Sequence, residues 1–246
     1  MQYDPVQYIE FFHLLFLEHL GRKLDKRLYA LKGGCNLRFF LGSIRYSQDI
    51  DLDVKTVRVA TLQKIVQTIL GSQSFVMMLQ SRGLEITQSS EPKQTETTQR
   101  WKIQLQTGAG LTLPTKIEFS RRGLESPVEF ESIDPMVLTP YRLPPLFVPH
   151  YGPVTAFQQK IKALALRTET QARDVWDLFH LINAYTMQKL GSEYLRKACE
   201  NACNIHFADF KDQVLAFFPS ELQSRYNAKM WEDIQLKVIE HLEALQ

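Results

Sequence analysis

Residues 48–54, QDIDLDV, constrain the fold more than any other stretch of the chain. Acids occupy every second position, Asp49, Asp51 and Asp53, and alternate with Ile50, Leu52 and Val54. A helix would scatter these two sets around its axis. A strand, whose side chains repeat every two residues, puts the apolar set on one face against a core and the acidic set on the other, towards a cleft. Upstream, residues 27–34 (RLYALKGG) are a short apolar run closed by glycines, the pattern of a strand ending in a tight turn. The CNLRFFLGS that follows has apolar residues three and four apart and Gly42 as a stop, which predicts a short helix. Carboxylates on one strand face repel one another, so the row asks for positive charge nearby.

A chain of 246 residues that is 44% hydrophobic can bury one large core or two modest ones. The formal net charge of +2 is too small to mark a nucleic-acid binder by electrostatics alone, so any such role has to rest on local patches. Lys116, Arg121, Arg122, Lys160, Lys162 and Arg167 could form a basic rim for RNA, with scattered solvated charge as the commoner reading. Three cysteines, an odd and sparse count, indicate a reducing compartment, and the cytoplasm is expected. Residues 8–20 carry apolar side chains at helical spacing, interrupted by acids and histidines unlike a signal peptide, and predict a largely buried N-terminal helix. No stretch reaches the roughly 20 apolar residues needed to span a bilayer, so no membrane is expected.

Farther along, residues 56–70 have a helical pattern, and SFVMMLQ, RWKIQLQT and LTLPTKIEF read as three strands. The polar TQSSEPKQTETTQ between the first two reads as an exposed hairpin loop. Seven prolines between positions 127 and 153 mark a linker-like connection. Beyond it TAFQQKIKALALR, ARDVWDLFHLINAYTMQKL, SEYLRKACENAC, FADFKDQVLAFF and AKMWEDIQLKVIEHLEAL all show three-to-four spacing. The expected fold class is α+β: a mixed β-sheet flanked by helices over residues 1–150 and a helical bundle over residues 151–246, with a cleft between two lobes. Trp101, Trp176 and Trp231 are expected in cores.

The chemistry concentrates around the acidic strand. Glycines at a strand-to-helix turn let a ligand approach the backbone, and the first amides of the helix face an anion; Gly33 and Gly34 suit this. Asp49 and Asp51 offer hard oxygen ligands on one strand face, the kind Mg²⁺ takes together with substrate phosphates. Glu118, the acid within TKIEF, could complete a pair of metal sites if its strand lies beside theirs, and two ions would clamp both oxygens of an in-line phosphoryl displacement. Alone, a GG pair is commonly a turn and a DID commonly a solvated strand edge; in this order around a short helix they are far more specific. The six histidines show no metal-ligand spacing, and Cys199, Cys203 and His206 read as packed helix surface. Serine-hydrolase and Walker motifs are absent.

The segment GGCNLRFFLGSIRYSQDIDLDV resembles the nucleotidyltransferase superfamily with the DNA polymerase β-type fold. Its Arg45-x-Ser47-x-Asp49-Ile50-Asp51 form is similar to the AbiEii/MenT group of bacterial nucleotidyltransferase toxins. In that group a helix with a lysine and an Ala-Leu pair precedes an arginine and R-D-x-x-D-L, and here KIKALALRTETQARDVWDLFHL supplies Lys160, Arg167, Arg173, Asp174 and Asp177. The resemblance implies that Asp49, Asp51 and Glu118 bind Mg²⁺ or Mn²⁺, with Glu118 near the attacking hydroxyl. It implies that Gly33, Gly34 and Lys160 hold a nucleoside triphosphate, and it brings Asp174 and Asp177 to the site. Arg173 is expected to pair with Asp177 four residues on. Arg45 and Ser47 are read as orienting the acidic strand or touching phosphate, with local bonding the expected use of Ser47. Cys35 departs from the family, which usually has Ser or Thr there, so a hydroxyl contact to phosphate is missing. Asp53 is read as a surface acid beyond the ligand pair.

The implied activity moves a nucleoside monophosphate to an acceptor hydroxyl, with the tRNA 3′ end as implied acceptor and a cognate antitoxin as implied partner. Two other readings stay open: a nucleotide- or RNA-binding module without turnover, motivated by Cys35, and a small-molecule, antibiotic-modifying adenylyltransferase.

Overall fold

The structure is a computed structural model that describes residues 3–186 and 193–245. The chain divides into two compact units. One takes in the chain up to Gly42 together with Tyr46–Tyr151, and the other takes in Ser43–Arg45 and everything from Gly152 onward.

The first unit runs α1 (Pro5–Lys23), β1 (Tyr29–Lys32), α2 (Gly33–Phe40), β2 (Ile50–Val54), α3 (Val59–Leu70), α4 (Gln73–Gln80), β3 (Leu84–Gln94), β4 (Thr98–Thr107), β5 (Thr112–Ser120), β6 (Glu129–Ser132), α5 (Pro135–Leu138) and β7 (Phe147–His150). Its seven strands form one sheet in the order β3-β4-β5-β2-β1-β7-β6. The β2/β5 and β1/β7 pairs are parallel and the others antiparallel, so the sheet is mixed, as expected. Helix α1 starts on Pro5 with a capping box between Asp4 and Gln7, and its residues from Ile9 to Leu17 are all buried, which a helix with apolar residues around most of its girth requires.

Strand parity separates the two faces of the sheet. Leu31, Leu52 and Phe119 are matched in register, as are Ile50, Ile117 and Trp101, and all six lie in the core cluster with Phe12, Phe16 and Phe75 from the helices. Lys32, Asp51, Glu118 and Arg100, each adjacent in the chain to one of these, are matched in register on the opposite face, which is charged.

Three expectations are corrected. Residues 74–80 are not a strand but most of α4, because Ser72 caps it by accepting a hydrogen bond from the Phe75 amide at 3.3 Å, and Phe75 and Leu79 then fall on one buried side. The polar segment is not a loop: it is most of β3 and the start of β4, and only residues 95–97 turn. A margin strand with one neighbour keeps its outer edge wet, so polar side chains serve there, and Pro92 falls where the register with β4 slips between Ser90 and Lys93. The proline-rich region is not a linker either, since it supplies β6, α5 and β7, which extend the sheet.

The second unit is helical: α6 (Pro153–Leu166), α7 (Ala172–Ala184), α8 (Leu195–Cys203), α9 (Phe207–Gln213), α10 (Ser220–Gln223) and α11 (Ala228–Ala244). Its core centres on Trp176 against Phe210, Phe218 and Tyr226, with Phe210 stacked 4.5 Å from Trp231. The helical patterns expected through Leu190 and from Ser192 fall partly outside the described residues. Among the described residues no helix is long and apolar enough to cross a membrane.

Candidate functional site

The charged face of the sheet carries Asp49, Asp51, Asp53 and Glu118, and three of the four are paired with a cation. Lys116 Nζ lies 2.8 Å from Asp49 Oδ2, and Arg100 Nε lies 2.6 Å from Glu118 Oε2. Asp53 is held by Lys32 Nζ at 2.5 Å and accepts a hydrogen bond from the Tyr151 hydroxyl at 2.9 Å. It is therefore buried, not the surface acid expected from sequence. Among the described residues no lysine or arginine lies within 4.0 Å of the Asp51 carboxylate.

What faces Asp51 instead is the diglycine turn. Lys32, the last residue of β1, is the register partner of Asp51, and Gly33 begins α2 immediately after it. Gly33 has φ +67°, and a Cβ built on it would stand 2.9 Å from Asp51 Oδ2. Only glycine gives the turn both this backbone conformation and this space. The first amides of an eight-residue helix, at Gly33, Gly34 and Cys35, thus begin beside an acid that has no cationic partner.

Asp51 and Glu118 are register partners on parallel strands, and Asp49 lies two residues before Asp51 on the same face. These are oxygen donors only, the set that suits Mg²⁺ or Mn²⁺, and the volume where a Cβ is missing at Gly33 adjoins one of them. Held as they are by Lys116 and Arg100, the three carboxylates do not all come within 4.8 Å of one another.

The backbone that leads into the acidic strand is pinned from below. Thr115 Oγ1 donates to the Gln48 carbonyl at 2.7 Å, so its 2.8 Å contact with His13 Nε2 makes that nitrogen the donor. His13 Nδ1 is then an acceptor, 3.5 Å from the Cys35 thiol, whose single proton faces both that nitrogen and the Asp49 carbonyl at 3.4 Å. Ser47 Oγ donates to the same carbonyl at 2.8 Å. Burial drives the His13 pKa down to about 3, so the ring is neutral in this chain of bonds. Burial, and then the nearby Asp51 charge, push the Cys35 thiol well above its usual value. With its side chain turned inward, Cys35 offers a ligand only its backbone. His13 and Thr115 carry no motif and come from α1 and β5, so spacing in the sequence could not mark them.

In the second unit the family-like residues form a buried ion network. The Arg45 guanidinium grips Asp177 through Nε and Nη2 at 3.0–3.2 Å. Lys160 Nζ lies 2.6 Å from Asp177 Oδ2 and 2.9 Å from Asp174 Oδ1, and Arg167 Nε donates to Asp174 Oδ2 at 2.8 Å. The expected Arg173–Asp177 pair does not form. Asp177 is fully buried, and both of its oxygens are taken by Arg45 and Lys160, which reach it from outside its own helix. Burial alone would raise the Asp177 pKa, but Arg45 and Lys160 outweigh it and hold the carboxyl below its ordinary range.

Comparison with known proteins decides the family. The model of the nucleotidyl transferase AbiEii toxin family, of the type IV toxin–antitoxin systems, matches residues 15–245. The chain belongs to the AbiEii nucleotidyl transferase toxin family. AbiEii proteins are nucleotidyltransferases, and that is the reaction class of this chain. No curated protein matches it. Solved structures with a similar fold include MenT4, a nucleotidyltransferase toxin of Mycobacterium tuberculosis, at 17% identity and TM-score 0.71 over 98% of this chain and 85% of that one. JHP933 of Helicobacter pylori matches at 17% identity and TM-score 0.63 over 100% and 93%. A putative nucleotidyltransferase of the same organism matches at 18% and 0.61 over 100% and 99%.

Proposed function

We propose that this AbiEii protein is a divalent-metal-dependent toxin that transfers a nucleoside monophosphate from a triphosphate to the 3′-terminal hydroxyl of tRNA in the cytoplasm. The observation that carries the reading is Asp51, which lacks a cationic partner, stands beside the Gly33 turn and is in register with Glu118. Asp49, Asp51 and Glu118 would hold Mg²⁺ or Mn²⁺, which supplies charge neutralisation of the triphosphate and polarisation of its α-phosphate. The amides from Gly33 to Cys35 receive phosphate oxygens at the helix N-terminus. Glu118 orients the acceptor hydroxyl. The hydroxyl oxygen would bond to the α-phosphorus as the bond from that phosphorus to the α–β bridging oxygen breaks, with pyrophosphate leaving and the hydroxyl proton passing to water.

Lys160 enters this reading as a phosphate-binding ammonium. Asp174 and Asp177 take two of its three N–H donors and fix its direction, leaving the third for a phosphate oxygen. Arg45 and Arg167 in turn hold those carboxylates, and Ser47 fixes the loop before Asp49. A cognate antitoxin, the usual companion in a type IV system, is the proposed partner.

The test is incubation of the protein with each α-labelled triphosphate, Mg²⁺ and a total tRNA pool. Label is expected in tRNA with the wild type and lost with Asp51→Asn, whose circular dichroism should be unchanged. Transfer retained by Asp51→Asn would refute the assignment, and label in an aminoglycoside but not in RNA would replace tRNA as acceptor.

A further inference from the structure

A second constellation stands on the other face of the sheet, at its β6 margin. Glu129 and His150 are register partners across β6 and β7, and Glu131 lies two residues along β6 on the same side. His150 is the register partner of Leu31, on the apolar face, whereas the acid row shares its face with Lys32. The two constellations are therefore separated by the sheet itself as well as by strand β1.

His150 is 1% exposed. The two groups near its Nδ1, Asn36 Oδ1 at 3.1 Å and the Tyr151 carbonyl at 3.3 Å, are both acceptors, so Nδ1 carries the proton. Asn36 is oriented for this by donating its own amide to the Tyr151 carbonyl at 2.7 Å. The Phe40 ring stacks flat on the imidazole, 3.7 Å away and 6° from parallel, and fixes its plane. In the neutral ring Nε2 is then a lone pair, and the atom is buried, without a hydrogen-bond partner, and aimed between Glu131 Oε2 at 3.8 Å and Glu129 Oε2 at 3.9 Å. A lone pair facing two carboxylates is electrostatically unfavourable unless a cation lies among them.

We propose that Glu129, Glu131 and His150 bind one transition-metal dication of the Zn²⁺ class, at a site separate from the acid row. Their ligand atoms all lie within 4.8 Å of one another, and among the described residues this is the one such group of three. An imidazole nitrogen with two carboxylates selects a borderline cation over Mg²⁺, and leaves a fourth tetrahedral position for water or a partner's side chain. Coordination at about 2.0–2.2 Å needs the glutamate oxygens to close in, and both side chains project from a margin strand that leaves them room to do so. The Nδ1–H to Asn36 bond is the supporting contact that metal-bound histidines commonly have.

The experiment is titration of chelator-stripped full-length protein with Zn²⁺ by calorimetry, and with Co²⁺ followed by visible absorption. Asp51→Asn serves as background so that the acid row does not contribute. One Zn²⁺ per chain is expected, with intense four-coordinate Co²⁺ bands that Zn²⁺ bleaches. Glu131→Gln, a change at an exposed side chain, should weaken Zn²⁺ at least tenfold, and Glu129→Gln with Glu131→Gln should abolish it while the circular dichroism stays unchanged. Equal Zn²⁺ affinity in the double variant and its background, or no binding in the background, would overturn the proposal and leave His150 as a charged hydrogen-bond donor to the glutamates.

Discussion

Lys160 Nζ lies 2.6 Å from Asp177 Oδ2, and both residues are buried. Removing one member of such a pair strands the other without solvent, at a cost of about 3–5 kcal/mol. Asp177→Ala is therefore expected to lower the unfolding midpoint sharply, whereas Arg173→Ala should hardly move it. Equal midpoints for the two variants in a thermal melt would contradict the network.

The same carboxylate sets an acid limit. Its folded pKa lies below the unfolded value of about 3.9, so its contribution is complete above that value and is lost as pH falls through the folded one. His13 acts earlier. With a folded pKa of about 3 against roughly 6.5 unfolded, only the unfolded chain takes up this proton between those values, so stability declines on acidification from pH 6.5 downward. The slope from this one group approaches about 1.4 kcal/mol per pH unit. His13→Gln, which can still donate to Thr115, should flatten urea midpoints between pH 4 and 6 relative to wild type; an unaltered slope would show that the ring does titrate.

Gly33→Ala should damage both stability and transfer. The left-handed backbone alone costs about 1–2 kcal/mol for a residue with a Cβ, and the added carbon would push Asp51 Oδ2 aside. Denaturation midpoints and labelled-nucleotide transfer report the two effects separately, and full transfer in the variant would count against a ligand at this turn.

Lys116 and Arg100 compete with any divalent ion for Asp49 and Glu118. Lys116→Ala and Arg100→Ala are each expected to lower the Mg²⁺ concentration that half-saturates transfer. Both lysine and arginine are partly exposed, so the change should be a few-fold and should shrink in added salt. A higher Mg²⁺ requirement would mean that these cations organise the acids rather than shield them.

Cys35→Ser should leave triphosphate affinity close to wild type, because the side chain at this position bonds inward to the Asp49 carbonyl and His13. Calorimetry with triphosphate and Mg²⁺ decides it. A marked gain in affinity would place a serine hydroxyl on the phosphate after all.

Much of this was legible in the chain. The alternation around Ile50 and Leu52 located β2 and its two faces, and the diglycine located the start of α2, since period and backbone freedom are local properties. Residues 74–80 misled because seven apolar-rich residues suit a strand or a buried helix equally, and the deciding term was the Ser72 cap just outside the run. The β3 margin misled in the opposite sense, because a strand with one neighbour needs no apolar face on its wet side. Which cation meets which acid was not legible at all: Arg45 reaches Asp177 across 132 residues, and Glu129 meets His150 only because β6 and β7 pair.

The two outer strands of the sheet differ in a trait with a consequence for the toxin at high copy number. One margin presents glutamines, serines and a proline, and the other alternates glutamate with its remaining side chains. The β3 margin offers no apolar ribbon onto which a second copy could zip its own backbone, whereas the β6 margin exposes Phe130 beside Phe147. Fibre-like growth by overproduced toxin is thus disfavoured at the β3 margin, and the β6 margin is where a second copy would find apolar surface.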